Sequence, residues 1–150
     1  MTGVVKQTPG GVGYVELTYA KENNLPVALV RNRGGNWVEP SAEGTTAAIT
    51  AFSEELAKDV RVPIVDPPES AKDAYPIAGL TYLFIPKQGQ DAKKTQTLKD
   101  FVQFIVTQGQ GDAEKLSYAK LPDSLQQQDQ NLLSQVGAGS GQPSQARLNQ

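Results

Sequence analysis

The feature that most constrains the fold of this chain is one apolar run, Ile77–Ile85, bounded by Pro76 and Pro86. The run has the length of a strand and is far shorter than the ~20 residues of a membrane-spanning helix. It is apolar at both odd and even positions, as expected for a strand covered by helices on both faces of its sheet. We therefore predict an α/β protein with a mixed sheet flanked by helices, in which this strand is central and buried.

Three stretches have the apolar spacing of amphipathic helices. Ser41 and Asp91 are candidate N-caps of the first two, and Leu121–Asp123 begins the third. Glu43 lies in the first turn of the first helix, where the helix dipole favours an acidic residue. In chain order, the apolar positions are Ile49, Phe52, Leu56 and Val60; Leu98, Phe101, Val102 and Ile105; and Leu125, Leu132 and Val136.

Shorter elements and irregular segments are predicted around these helices. In chain order, we expect a turn at 8–13, a strand at Tyr14–Leu17, a helix at Tyr19–Asn24, a strand at Val27–Val30, a hairpin turn at Arg33–Asn36, a return strand at Trp37–Val38 and a short helix at Asp112–Leu116. Residues 61–76 contain four prolines and three acidic residues, which indicates a connection between structural units. Residues 137–150 are rich in Gly, Ser and Gln, which predicts a disordered tail.

Composition and charge exclude several classes of function. The chain has neither Cys nor His, so a Cys/His zinc site, a Cys nucleophile and a His general base are absent. Its net charge of −2 argues against a basic nucleic-acid-binding surface. The residues after Met1 lack an apolar segment of the signal-peptide type, so no export signal is expected in this chain.

Two groups of residues could bind an anion. Gly10, Gly11 and Gly13 suggest a phosphate loop, but such a loop leads into a helix, whereas this one is predicted to lead into a strand; a plain turn is the preferred interpretation. Arg31 and Arg33 flank a turn and could attract an anion, although arginines near a hairpin tip are usually only exposed.

Carboxylates and aromatic residues offer further candidates. Glu54, Glu55 and Asp59 could act in acid–base chemistry, but they lie off the apolar helix face, which favours a solvated surface. Three acids of the connection could ligate a metal ion, yet their spacing does not suit calcium. We expect packing rather than ligand stacking for Tyr14 and Trp37. The connection's acids are Asp66, Glu69 and Asp73.

Several stretches, in this order along the chain, resemble the PstS family of periplasmic phosphate-binding proteins. They are QTPGGVGYVE at 7–16, Tyr19–Ala20, VEPS at 38–41, DAYPI at 73–77, TYLFI at 81–85, DAKK at 91–94, Phe101, TQGQ at 107–110 and LSYAKLP at 116–122. The similarity extends over residues 4 to about 136 and is to the C-terminal half of the family.

The resemblance implies a two-lobed periplasmic binding protein of type II, with phosphate clamped between the lobes. It also implies capture of phosphate for an ABC permease, a periplasmic or cell-surface location for the full-length protein, no cofactor and no enzymatic activity. Residues 1–65 would belong to the second lobe, 66–136 would return to the first lobe, and 61–76 would cross the hinge. Residues 137–150 would be the tail.

The family's phosphate ligands include an Arg that precedes a Ser-Gly-Thr sequence at a helix N-terminus. This chain has no Ser-Gly-Thr, and Arg31, Arg33, Arg61 and Arg147 stand in other contexts. No phosphate ligand is therefore assigned here, and phosphate would bind through a missing upstream half. The alternative is a truncated or stand-alone unit that binds no phosphate and associates with itself or with a protein partner, since open sheet edges favour pairing.

Overall fold

The computed structural model describes residues 1–138, which form seven helices and four two-residue strands. The helices are α1 Thr2–Gln7, α2 Leu17–Glu22, α3 Ala42–Ala51, α4 Ser53–Lys58, α5 Ala92–Val106, α6 Gln110–Lys115 and α7 Asp123–Ser134. The strands are β1 Val30–Arg31, β2 Trp37–Val38, β3 Gln88–Gly89 and β4 Gly137–Ala138. The mixed α/β class expected from the sequence is confirmed.

β1 and β2 form an antiparallel hairpin around the predicted turn. Val30 is paired with Val38, and Arg31 with Trp37. The Gly35 N–H donates to the Asn32 carbonyl over 2.9 Å, and Gly35 has a positive φ of 84°, which a residue without Cβ adopts readily. Asn and Gly at the two ends of a four-residue turn are preferred for these reasons. β3 and β4 pair in parallel elsewhere, which the sequence did not predict.

The first predicted amphipathic helix is divided at Phe52 into α3 and α4. Ser41 caps α3, because its side-chain oxygen accepts a hydrogen bond from the Gly44 N–H at 2.9 Å. Phe52 departs from helical geometry, and α4 begins at the next residue. Ile49 and Leu56 are nevertheless both buried, so the predicted apolar face survives the break.

Buried apolar side chains form two clusters. The larger one joins α3, α4, the connection and α7, and the smaller one joins α5 to α7. The buried members are Ala48, Ile49, Leu56, Ile64, Ala74, Ala78 and Leu125 in the first cluster and Val102, Val106 and Leu133 in the second.

The predicted cap of α5 is confirmed, because the Asp91 side chain accepts a hydrogen bond from the Lys94 N–H at 2.9 Å.

The prediction of a central buried strand at Ile77–Ile85 is wrong. The segment has no strand partner, and Ile77 and Phe84 are 68% and 94% exposed. A strand needs neighbouring strands to pair its peptide groups, and the described residues supply none beside this segment. Residues 77–85 therefore belong to no helix or strand, and of the nine only Ala78 is buried.

Three smaller predictions are also corrected. Tyr14–Leu17 is not a strand, because residues 11–16 are unpaired and Leu17 already begins α2. Val27–Val30 shortens to β1, which starts only at Val30. Phe101, expected in the core, is 60% exposed, because α5 turns Val102 and Val106 towards its neighbours instead. The first two residues of the predicted disordered tail, 137–138, form β4 instead, and the rest of the tail lies outside the described residues from 139 onward.

Candidate functional site: an open apolar cleft

An apolar cleft of about 1190 Å³ lies beside the hydrophobic core. Three segments with little regular structure border it, namely residues 11–16, 25–30 and 77–85, and we call these the border segments. The core side chains of Ile49, Leu56 and Leu125 also reach its wall. Side chains of the hydrophobic core therefore form part of the cleft wall.

Two segments that carry the family resemblance meet beside the cleft. The Tyr118 hydroxyl donates to the Glu16 carboxylate at 3.0 Å, and the Thr18 hydroxyl donates to the Leu116 carbonyl at 2.5 Å. The hydrogen bond to Glu16 raises the pKa of Tyr118, because the neighbouring carboxylate disfavours a second negative charge. These contacts hold the start of α2 against the LSYAKLP segment.

A polar side chain that was not predicted from the sequence, that of Asn32, forms hydrogen bonds between the hairpin and the connection. Asn32 is buried, and its amide donates to the carbonyls of Lys72 at 2.7 Å and Ala74 at 3.2 Å. Its side-chain oxygen accepts from the Asn36 N–H at 3.0 Å. Asn32 thus joins the hairpin to the connection, and its place at the start of a turn was the only signal for this role.

The arginines within residues 1–138 are all engaged in local contacts. Arg33 forms an ion pair with Asp66 at 2.6 Å, and Arg61 forms one with Asp59 at 2.7 Å. Arg31 donates to the Gly35 carbonyl at 3.3 Å. Arg147 lies outside the described residues. No two of the described arginines converge on one anion site.

The glycine loop does not form a phosphate cradle. The Gly11 N–H donates to the Thr8 carbonyl at 2.8 Å, which closes a turn, and Gly10 has a φ of 75°. The chain then has no regular structure through residues 11–16 before α2 begins. A phosphate loop would instead direct free N–H groups and a helix N-terminus at the anion.

The acidic candidates do not converge either. Glu54 and Glu55 are exposed in the first turn of α4. The hydrogen bond from the Arg61 side chain lowers the pKa of Asp59 to about 2. Of the connection's acids, Asp66 is paired with Arg33, while Glu69 and Asp73 are exposed. Across residues 1–138, no group of three acidic side chains is placed to hold a metal ion.

The aromatic candidates are both exposed. Tyr14 lies on a border segment and Trp37 on β2. The sequence predicted that both side chains would be packed, but neither belongs to a core cluster. Each occupies an element whose sheet neighbours are few or absent, so no second layer covers it.

In the described part of the chain, no helix has the length and apolar character needed to cross a membrane.

Comparison with known proteins identifies close relatives. A protein of Xylella fastidiosa strain Temecula1 is 36% identical over 83% of this chain, one of Methanocaldococcus jannaschii is 34% identical over 83%, and one of Pasteurella multocida is 31% identical over 79%. Each bears the name phosphate-binding protein PstS. No protein-family model matches the chain.

In each of these three relatives the match occupies 34% of the protein's length. The chain thus spans about a third of the curated relatives it matches, less than the half that the motifs suggested. Identity above 30% over about four fifths of the chain recurs in all three relatives. The chain therefore matches a portion of the PstS phosphate-binding proteins.

Proposed function

We propose that this chain is part of the phosphate-binding subunit of an ABC importer, which captures phosphate outside the cytoplasm and delivers it to a permease. The observation that carries the proposal is the similarity, at up to 36% identity, to proteins named phosphate-binding protein PstS. The role requires binding and release and no chemical reaction.

We further propose that the chain contributes scaffold rather than phosphate ligands. An anion removed from water needs several fixed donors, and exposed, salt-screened arginines supply little affinity. Arg33 and Arg61 are committed to Asp66 and Asp59, and the Gly11 N–H is used within its turn. The ligands would then lie in the part of the protein that corresponds to the other two thirds of the relatives.

The lobe assignment remains part of this proposal. Residues 1–65 would belong to one lobe, 66–136 would return to the other, and 61–76 would cross between them. The absence of regular structure at 61–76 within the described chain agrees with a crossing. The larger buried cluster takes residues from both ranges, so they pack together close to the crossing.

A chimaera tests the function. In it, this chain replaces the matched third of the Xylella fastidiosa protein, and phosphate binding is measured by calorimetry at physiological salt beside the unaltered Xylella protein. We expect saturable binding by the chimaera at about micromolar phosphate or tighter. A folded chimaera that binds no phosphate would refute the proposed function.

The isolated 150-residue chain provides the complementary measurement. We expect it to show no saturable phosphate binding below about 1 mM, because no set of fixed donors converges in its described residues. Saturable micromolar binding to the chain alone would show that it carries the ligands itself, and the scaffold part of the proposal would then be wrong.

A further inference from the structure

The tip of the β1–β2 hairpin, residues 32–36, holds the connection by side-chain hydrogen bonds. The Asn32 amide donates to the Lys72 carbonyl at 2.7 Å and to the Ala74 carbonyl at 3.2 Å. The Asn36 amide also donates to the Lys72 carbonyl, at 3.1 Å. These bonds join residues that are 36 to 42 positions apart, so they attach the connection to an element from a distant part of the chain.

The hairpin tip and the connection also touch through their backbones. A Cβ at Gly34 would lie 2.8 Å from the Glu69 carbonyl oxygen, closer than a Cβ approaches such an atom in folded proteins. Glycine therefore permits a close approach here that a larger residue would prevent. Next to it, Arg33 forms its ion pair with Asp66 at 2.6 Å.

The far end of the connection is attached to α3. The Tyr75 N–H donates to the carbonyl of Gly44, a residue of the first turn of α3, at 3.0 Å. The Asp66 N–H donates to the Pro76 carbonyl at 2.9 Å and closes the stretch between them into a loop. This loop is thus fixed to the hairpin and to α3, which both precede the connection in the chain.

The chain beyond Pro76 has no such attachment. No backbone N–H or carbonyl of residues 77–85 forms a hydrogen bond to another described residue. A Cβ at Gly79 would meet no atom within 4 Å, and Ala78, the one buried residue of the run, contributes only a methyl group to the core. Hinge motions are absorbed by a few residues that are free to change φ and ψ. Rotation is therefore least restricted just after Pro76.

We propose that the hairpin tip is a clamp that makes the connection move together with residues 1–65, so that the hinge between the lobes pivots after Pro76. This inference rests on the proposed function, because a pivot requires a protein that closes around its ligand. It moves the boundary between the two moving parts from residue 66 to the end of the connection. The tip residues are positioning residues, which act on phosphate binding only through the connection.

Amide exchange in the isolated 150-residue chain tests the clamp without phosphate. The Asp66 and Tyr75 amides should exchange at least about tenfold more slowly than those of Ile77 and Leu83, because hydrogen-bonded amides exchange only on opening. Equal rates would mean that the connection is not held, and would overturn the clamp.

Two glycine substitutions test whether the hairpin tip causes this protection. Gly34→Ala places a methyl group against the Glu69 carbonyl and should raise the exchange rates of the Asp66 and Tyr75 amides at least about tenfold. Gly111→Ala is the matched control, because a Cβ there would meet no atom within 4 Å, and it should leave both rates unchanged. Equal effects of the two variants would overturn the clamp.

A second pair of variants applies if circular dichroism shows that Gly34→Ala does not fold. Arg33→Gln removes the ion pair between the tip and the connection and should raise the exchange rate of the Asp66 amide about two- to fivefold. Arg61→Gln is its control, since Arg61 pairs with Asp59, two residues away, and that pair does not involve the hairpin. A rate that responds equally to both variants would count against the clamp.

Distances in the chimaera locate the pivot. The chain has no Cys, so spin labels can be attached at introduced cysteines once any cysteine of the Xylella portion is replaced by serine. The exposed residues Glu54, Ser70 and Lys93 mark α4, the connection and α5. When phosphate is added, pulsed electron paramagnetic resonance should show a changed distance between 70 and 93 and an unchanged distance between 54 and 70. A changed distance between 54 and 70 would place a pivot before the clamp and overturn the proposal.

The clamp and the proposed function can fail separately. A chimaera that binds phosphate while the distance between 54 and 70 changes would keep the function and remove the clamp. A folded chimaera that binds no phosphate would remove the function and the pivot with it, and the exchange rates of the isolated chain would still decide whether the hairpin tip holds the connection.

Discussion

The connection at 61–76 and the apolar run at 77–85 are adjacent in sequence but differ in how deeply their apolar side chains are buried. The connection is rich in proline and acids, yet Ile64 is 1% exposed and Ala74 is fully buried. The run is the most apolar stretch of the chain, yet Ile77 is 68% exposed. In these two regions, burial depends first on whether other parts of the chain can pair with or pack against the segment, and only secondarily on its apolar composition.

Partners for the connection come from nearby parts of the chain. The Asp66 N–H donates to the Pro76 carbonyl at 2.9 Å, and the Tyr75 N–H donates to the Gly44 carbonyl at 3.0 Å. Asn32 adds two hydrogen bonds from the hairpin. The run lacks equivalent partners for its peptide groups within residues 1–138, so its apolar side chains remain beside an open cleft.

The same substitution in both regions gives the largest expected contrast. Ile64→Ala should lower the free energy of unfolding by about 2–5 kcal/mol, because it removes buried apolar volume and leaves a cavity. Ile77→Ala should change it by no more than about 0.5 kcal/mol, because the side chain is mostly in water already. Urea unfolding of both variants would measure the difference.

Equal losses of stability in the two variants would break the comparison. A large loss with Ile77→Ala would mean that residues 77–85 are packed in solution, and that the cleft is closed in the isolated chain.

A polar pair tests what holds the connection. Asn32→Ala should destabilise the chain by about 1–3 kcal/mol, because it leaves the Ala74 carbonyl without its donor in a buried hydrogen bond and removes one of the two donors to the Lys72 carbonyl. Asn36→Ala is the matched control, since Asn36 is exposed and its side chain makes a single hydrogen bond, to Lys72 at 3.1 Å. A loss with Asn32→Ala no greater than that with Asn36→Ala would show that the connection is held mainly by its apolar contacts.

The elements that the sequence predicted correctly are those whose determinants are local. The Ser41 and Asp91 caps, the turn before Trp37 and the last helix each depend on residues a few positions apart. The run at 77–85 failed because a strand is defined by its neighbours, which a single apolar segment cannot specify. Asn32 was missed because its partners are about 40 residues away.

Phe101 gives a smaller contrast within α5. The apolar spacing predicted a buried ring, and Phe101→Ala would then have cost about 3–5 kcal/mol. Since the ring is 60% exposed, we now expect a loss below about 1 kcal/mol. Val102→Ala, one position along and buried, should cost about 1–3 kcal/mol. Thermal melts in which Phe101→Ala is the more damaging of the two would indicate a different rotation of α5.

The smallest expected effect on stability comes from a substitution at Asp129, whose side chain lines the open cleft and therefore reports on that site. Burial raises the pKa of Asp129, so the folded chain holds this proton more tightly than the unfolded chain does. The resulting stability is fully present below the usual pKa of an aspartate and is lost as the pH rises through the raised pKa. Asp129→Asn should therefore stabilise the chain at neutral pH, by at most about 0.5 kcal/mol after solvent screening, and have no such effect at low pH.

The same carboxyl group reports whether the cleft is covered. If the rest of the chimaera covers the cleft, it removes more water from Asp129, and the pKa of Asp129 should rise above its value in the isolated chain. Carboxyl-carbon NMR titration of both proteins would measure this shift, with Asp129→Asn used to assign the signal. An unchanged or lower pKa in the chimaera would indicate that the cleft beside α7 stays open to solvent. The closed and open regions of this chain would then persist in the longer protein.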